Sequence, residues 1–360
     1  MSRTFISIQT VESSTRAVYL DLNHWYALGE ANAGTPRSEK DPEVLKLLRA
    51  LVNRNLIILP LSTVHYMELT ENPRDDMRQQ VAPVMAELSR FRTFAPMSRI
   101  VTEEIDLALN ARFGRPAFPE TTKKFGFGIG FAFGHPLRFH LETHTEEDRL
   151  RLEERVGMSI DEFESELNVI AEYMFLTGPP KQLRRQIPGY DPYAARKQAD
   201  RDLASFNVMV NTLRTHPEIS KRPLDAIVER QFLFEFLDYW VKAEMKAGFS
   251  KTRRPFDSKD GFTEFLMSLP SRRVAAMLQF HYLKDVHREW KISDLRDIAA
   301  LSGAIPYCDV VVTDKKAWDA SMNRAHLDKE FDTIILHRLA DLPAHVPPET
   351  ATANSVEPRL

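Results

Sequence analysis

Three observations predict an α/β fold: a parallel sheet flanked by helices and interrupted by a large, mostly α-helical insertion. Short apolar runs end on acidic residues, amphipathic helical stretches separate them, and the same order returns near the far end of the chain. Ala17, Val18, Tyr19 and Leu20 read as a buried strand that stops at Asp21, and a helical run follows through Trp25, Leu28 and Ala31. Asp41 and Pro42 supply a cap and a first-turn proline for the next helix, which carries Val44, Leu45, Leu48 and Leu51. Leu56, Ile57, Ile58 and Leu59 form a second apolar strand, halted by Pro60. Ser62 is placed to cap a helix holding Val64, Met67, Glu68 and Leu69. Near the C-terminus Ser293 is expected to cap a helix with Leu295, Ile298, Ala299 and Leu301, and Gly303 to end it. The strand Val310, Val311, Val312 and Thr313 comes next, then a helix around Trp318 and Met322, and a last strand at 333–336.

Residues 96–290 read as almost entirely helical. Ser159 and Glu162 have capping-box spacing ahead of Phe163, Leu167 and Ile170. Asp191 and Pro192 open a helix through Leu203 and Phe206, and further helices cover 232–241 and 274–283. The expected division gives 1–95 and 291–342 to the two parts of the α/β core and 96–290 to the insertion. Residues 343–360, rich in Pro, Ala and Thr, are expected to form a disordered tail. One segment breaks the helical pattern, with Phe and Gly interleaved from Phe125 to Gly134. Gly permits close backbone approach and Phe can stack on bases, but Phe side chains plugging the core are the favoured reading. The segment lacks a preceding strand and a following Lys, so it is no phosphate-cradling loop.

Forty-eight Lys and Arg against 51 Asp and Glu leave a net charge of −3, which excludes a globally basic nucleic-acid binder but allows a local basic groove. A hydrophobic content of 43% is too high for a disordered chain. No apolar run is long enough to span a bilayer, and the first residues lack the apolar stretch of a signal peptide. A single cysteine, Cys308, excludes a disulfide framework and a cysteine-based zinc site and reads as a small buried hydrophobe. A cytoplasmic protein is expected.

Acidic residues then stand out by position. Asp21 and Asp314 follow strands, Glu68 lies in the helix after the second strand, Asp294 and Asp297 share one helix, and Asp309 precedes a strand. Ligands of parallel α/β folds sit at the carboxyl ends of strands, so these acids converge on one edge of the expected sheet. Taken singly, each reads as a helix cap, a dipole partner or a solvated surface group. Taken together, they repel one another unless cations bind. All-oxygen ligands without Cys suit Mg2+ or Mn2+, and such a centre suits phosphodiester hydrolysis. His24 and His65 stand close to these acids and are expected to serve mainly as local hydrogen-bond partners.

The segments Tyr19-Leu20-Asp21-Leu22-Asn23-His24-Trp25 and Ser62-Thr63-Val64-His65-Tyr66-Met67-Glu68-Leu69 resemble the first two motifs of PIN-domain nucleases. Ser293-Asp294-Leu295-Arg296-Asp297, followed by Pro306-Tyr307-Cys308-Asp309 and Thr313-Asp314-Lys315, resembles the C-terminal metal-binding motif of the same family. The resemblance covers roughly 17–95 and 291–340. It implies a PIN-like core and a ribonuclease with Asp21, Glu68, Asp297 and Asp314 around the metal. Asp294 is the alternative helix acid, Asp309 an added one, and Asn23 and Thr313 are supporting residues. Nucleic acid, RNA above all, is the implied partner, with Arg184, Arg185, Arg196, Lys197 and Lys315 as weaker phosphate contacts. The insertion is expected to select substrate, or else to bind a protein partner or a second copy. A structure-specific DNA nuclease of the flap-endonuclease group and a non-catalytic PIN-like interaction protein are the alternatives. A haloacid-dehalogenase-type phosphatase is disfavoured, because Asn23 stands where its second Asp belongs.

Overall fold

The computed structural model describes residues 15–348 apart from 72–73, 120, 136–138, 143–144, 180–181, 187–190, 192, 217–220, 250–255, 257 and 286. Six strands occur among them: β1 (Arg16–Leu20), β2 (Ile57–Ile58), β3 (Arg92–Phe94), β4 (Phe125–Phe127), β5 (Val310–Val312) and β6 (Ile334–Leu336). Four make a parallel sheet in the order β2-β1-β5-β6, with Arg16 opposite Ile57, Val18 opposite Val310, and Val310 opposite Ile334. Beyond β2 the chain at Leu61 bonds to β3, donating to the Arg92 carbonyl at 2.8 Å and accepting from Phe94 at 2.7 Å. β4 pairs antiparallel to β3.

Both faces of the sheet are covered, as its continuous apolar strands require. Alternation along β1 sends Val18 and Leu20 into one core with Trp25, Leu28 and Leu48. Ala17 and Tyr19 enter the other core, which joins Val311 to Ile105, Phe206, Trp240 and Leu278 without a break. The helices Met97–Phe113, Ala194–Thr215, Pro270–Leu283 and Ile292–Tyr307 all contribute to that second core. No helix among the described residues is long and apolar enough to cross a membrane.

Several boundaries differ from expectation for physical reasons. The Ile292–Tyr307 helix does not stop at Gly303, because packing against the Pro270–Leu283 helix outweighs glycine's propensity cost of roughly 1 kcal/mol. Its cap is Lys291, whose backbone N–H bonds to the Asp294 carboxylate, so Ser293 lies inside the first turn. Asp41 likewise opens its helix from within, its carboxylate accepting from Ser38 N at 2.9 Å. The expected helix at 232–241 is interrupted by a π-helical turn, Phe232–Phe236. Region 96–290 also contains a strand, β4, inside the Gly/Phe segment. There Phe125 packs on Phe94 at 4.8 Å between ring centroids and Phe127 on Phe91 at 6.1 Å. Gly128 has φ +81°, and a Cβ would lie 2.2 Å from Glu172 Oε1, so glycine is required. The capping box at Ser159 and Glu162 forms as read, and Pro192 lies outside the described residues. The chain also stays folded past 343: the 3-10 turn Leu339–Ala344 is followed by buried Val346, and 349–360 lie outside the described residues.

Candidate metal centre

β1 has β2 on one side and β5 on the other, so the chain departs from it in both directions and leaves a crevice at its carboxyl end. Asp21 follows β1 directly, and Asp314 stands two residues past β5. Asp297 arrives from the Ile292–Tyr307 helix that leads into β5. Carboxylate oxygens of Asp21, Asp297 and Asp314 lie within 4.8 Å of one another. With Glu68, from the Thr63–Glu71 helix, they line an open cleft of about 580 Å³.

Two of these acids cap helices with one oxygen and keep the other. Asp21 Oδ1 accepts from Leu22 N at 2.7 Å, and Asp314 Oδ1 accepts from Lys316 N and Ala317 N at 2.6 and 2.9 Å. Their Oδ2 atoms, and the carboxyls of Glu68 and Asp297, accept no hydrogen bond among the described residues. Two buried histidines hold the strand ends in place. His65 Nδ1 accepts from Ser62 N at 2.9 Å, so the tautomer is fixed and Nε2–H donates to the Leu20 carbonyl at 2.8 Å. His24 Nε2 bonds the Thr313 carbonyl at 3.1 Å. Burial keeps both rings neutral, moving His65 down to about 4 and His24 downward as well.

Burial followed by mutual repulsion governs the acids. Asp297 is pushed up to about 9, by burial first and then by Asp21 and Asp314. Glu68 rises to about 8 through burial and Asp21, and Asp21 to about 6 mainly through burial. Oxygen donors arranged so can hold a hard divalent cation in place of the protons.

Other residues named from the sequence are placed elsewhere. Asp294 is not part of the group, since its Oδ1 accepts from Arg288 Nη2 at 2.5 Å and its Oδ2 from Lys291 N at 2.8 Å. Asp309 lies at the opposite end of the sheet, where its carboxylate accepts from Ala17 N at 2.8 Å at the start of β1. Asn23 lines the cleft, but its Oδ1 is engaged by Arg37 Nη1 at 2.7 Å. Thr313 is buried and acts through its backbone, donating to the Leu336 carbonyl as well as holding His24. Arg184 is clamped to Asp75 by two bonds of 2.7 and 3.0 Å, and Lys197 to Asp191 at 2.8 Å. Arg185 is exposed on the short turn Arg184–Gln186. Arg196 lines the cleft, and Lys315 is exposed beside Asp314.

The sequence reading missed Tyr26, Glu71 and Ser293, which also line the cleft. Helical spacing could have found them, three or four residues from Asn23, Glu68 and Asp297. Tyr282 was missed with no comparable clue. It is 3% exposed, its hydroxyl has no hydrogen-bond partner among the described residues, and after burial the Asp297 carboxyl is what most raises its pKa. Compared with family models, curated proteins and solved structures, the chain matches none.

Proposed function

We propose that this chain is a metal-dependent phosphodiester hydrolase, a PIN-like nuclease acting on RNA. The observation that carries the reading is the convergence of Asp21, Asp297 and Asp314 within 4.8 Å at the carboxyl edge of a parallel sheet. The join of β3 beyond β2, and the largely helical stretch between β3 and the Ile292–Tyr307 helix, agree with a PIN-like core carrying an insertion.

The residues present fit Mg2+ or Mn2+: every donor is a carboxylate oxygen, and several accept no hydrogen bond among the described residues. Asp21, Asp297 and Asp314 would hold the ion. When bound, such an ion supplies a more acidic water and neutralises charge on the phosphodiester. Asp21 and Asp314 keep their orientation because each is tied to a helix N-terminus by its Oδ1. Glu68 lines the same cleft and accepts no hydrogen bond among the described residues, so its carboxylate is placed to take the proton that a water loses during attack. Arg196 contributes positive charge at the cleft wall for a phosphate backbone.

The test is incubation of purified protein with labelled single-stranded RNA and DNA in Mg2+, Mn2+ or chelator. RNA cleavage with either ion and none in chelator is expected. Cleavage of DNA alone would reassign the substrate, and no metal-dependent cleavage of either would overturn the reading.

A further inference from the structure

On the far side of the Ile292–Tyr307 helix from the acidic cleft lies a second cavity, of about 500 Å³. Asp297 faces the cleft. Leu295, Ile298 and Ser302, which project from the opposite side of the helix at about 100° per residue, face the cavity. The Ala194–Thr215 helix also serves both. Arg196 reaches the cleft and Phe206 the cavity, roughly 15 Å further along the axis.

Two arginines in the cavity share one carboxylate. Arg230 Nη1 donates to Glu235 Oε1 at 3.2 Å and Arg272 Nη1 to Glu235 Oε2 at 3.0 Å. Arg272 is only 8% exposed; beyond Glu235 it donates among the described residues to Ser271 Oγ, at 3.4 Å, and its guanidinium lies over the Phe236 ring, 5.8 Å from the centroid. A guanidinium carries five N–H groups, so both arginines face the cavity with donors to spare. Gln279 also lines it, 7% exposed and with an amide that makes no hydrogen bond among the described residues. Phe206 and Phe236, both buried, supply the apolar part of the wall, with Arg230 lying over the Phe206 ring at 5.6 Å, and Asp202 adds a second carboxylate to the lining. Glu235 itself stands on the π-helical turn Phe232–Phe236, an irregularity frequent at functional sites, and its side chain is 38% exposed.

We infer that this cavity binds one nucleotide unit, its phosphate held by Arg230 and Arg272 in place of Glu235, its base against Phe206 and Phe236, and the base edge met by Gln279. Each part of the cavity calls for a different part of the ligand. Inorganic phosphate would leave the apolar walls and the amide unmatched, and a nucleoside would leave the guanidinium donors unmatched. The volume lies within the usual range for small-molecule sites. A unit of the strand cut in the cleft, which rests on the nuclease reading, and a free nucleotide share this chemistry.

The test titrates the full chain, in chelator, with each of the common nucleoside monophosphates. Trp290, 4.7 Å from Phe206 between ring centroids, provides the fluorescence readout. Saturable binding with Kd on the order of 0.1 mM is expected for at least one of them. Nucleosides and inorganic phosphate should bind about tenfold more weakly or worse. Arg230→Gln should weaken binding by about tenfold, and Glu235→Gln should tighten it by removing the competing charge. Asp21→Asn should leave it unchanged. A short oligonucleotide whose affinity falls in Arg230→Gln assigns the unit to the substrate strand, and one indifferent to that change assigns a free nucleotide. No saturable binding of any monophosphate by the wild type, or binding unmoved by both Arg230→Gln and Glu235→Gln, overturns the site. Nucleotide binding without cleavage in any metal defeats the hydrolase reading and leaves this one standing.

Discussion

The acidic cleft and the arginine-lined cavity share two helices but are left with opposite needs. In the cleft, carboxylate oxygens of Asp21, Asp297 and Asp314 converge and several accept no hydrogen bond among the described residues. In the cavity, two guanidiniums divide a single carboxylate between them. The first gathers carboxylates, and the second sets two guanidiniums against Glu235 with Asp202 also in its wall. The difference teaches that a charged residue is available for function when the fold has not already used its hydrogen-bonding capacity. Asp294 and Asp297 make the same point within one turn of one helix. The first has both oxygens taken, by Arg288 and by the Lys291 backbone, whereas the second accepts no hydrogen bond among the described residues.

The largest expected effect breaks the cleft alone. Asp21→Asn, Asp297→Asn and Asp314→Asn should each lower Mn2+-dependent RNA cleavage by more than about a hundredfold, since even indirect supports of metal ligands are worth 10–100-fold. Asp309→Asn should stay within about twofold of wild type, because its carboxyl serves Ala17 N at the other end of the sheet. Initial rates on one labelled RNA decide it. An Asp309→Asn variant as inactive as Asp21→Asn would remove the distinction between the two ends.

A smaller effect concerns stability without metal. Asp297 and Glu68 titrate in the folded chain near 9 and 8, well above the values near 4 of an unfolded chain. Between those limits the folded state binds more protons, so the stability these groups contribute is full below pH 4 and is lost as pH rises toward 9. The melting temperature in chelator should therefore fall from pH 5 to pH 9. Asp297→Asn should raise it at pH 8 by about 2–4 °C and flatten the slope. Asp294→Asn should lower it, because Arg288 loses a charged partner. Thermal melts across pH check both signs, and equal shifts for the two variants would erase the contrast.

The sequence made part of this contrast legible. An apolar run that ends in Asp marks a strand and its carboxyl end at once, so Asp21 and Asp314 could be placed directly. Asp309 was misplaced although strand polarity was enough to place it: a residue before a parallel strand lies at the edge opposite the residue that follows it. The choice between Asp294 and Asp297 was not legible, because it turns on Arg288 and on the backbone N–H of Lys291 rather than on spacing. Nor was the Arg184–Asp75 pair, which joins residues 109 apart. The cavity escaped for the same reason. Its arginines come from separate helices, and nothing in the order Phe232-Leu233-Phe234-Glu235-Phe236 separates a π turn from an ordinary helical one.

The smallest effect concerns which cations meet a nucleic-acid strand. Arg184 is half-buried and doubly bonded to Asp75, whereas Arg196 lines the cleft and among the described residues has only an exposed pair with Asp200 at 3.2 Å, which is worth little. Arg196→Gln should therefore weaken binding of single-stranded RNA a few-fold at moderate salt. It should also reduce the slope of log K against log salt by about 0.7, the loss of one phosphate contact on a single strand. Arg184→Gln should leave that slope alone and lower the melting temperature instead, since it breaks a partly buried ion pair. Anisotropy titrations at several salt concentrations, in an Asp21→Asn background to prevent cleavage, separate the two. If Arg184→Gln changes the slope and Arg196→Gln does not, the strand runs over the Asp75 side of the protein, and the cleft wall at Arg196 is not its path.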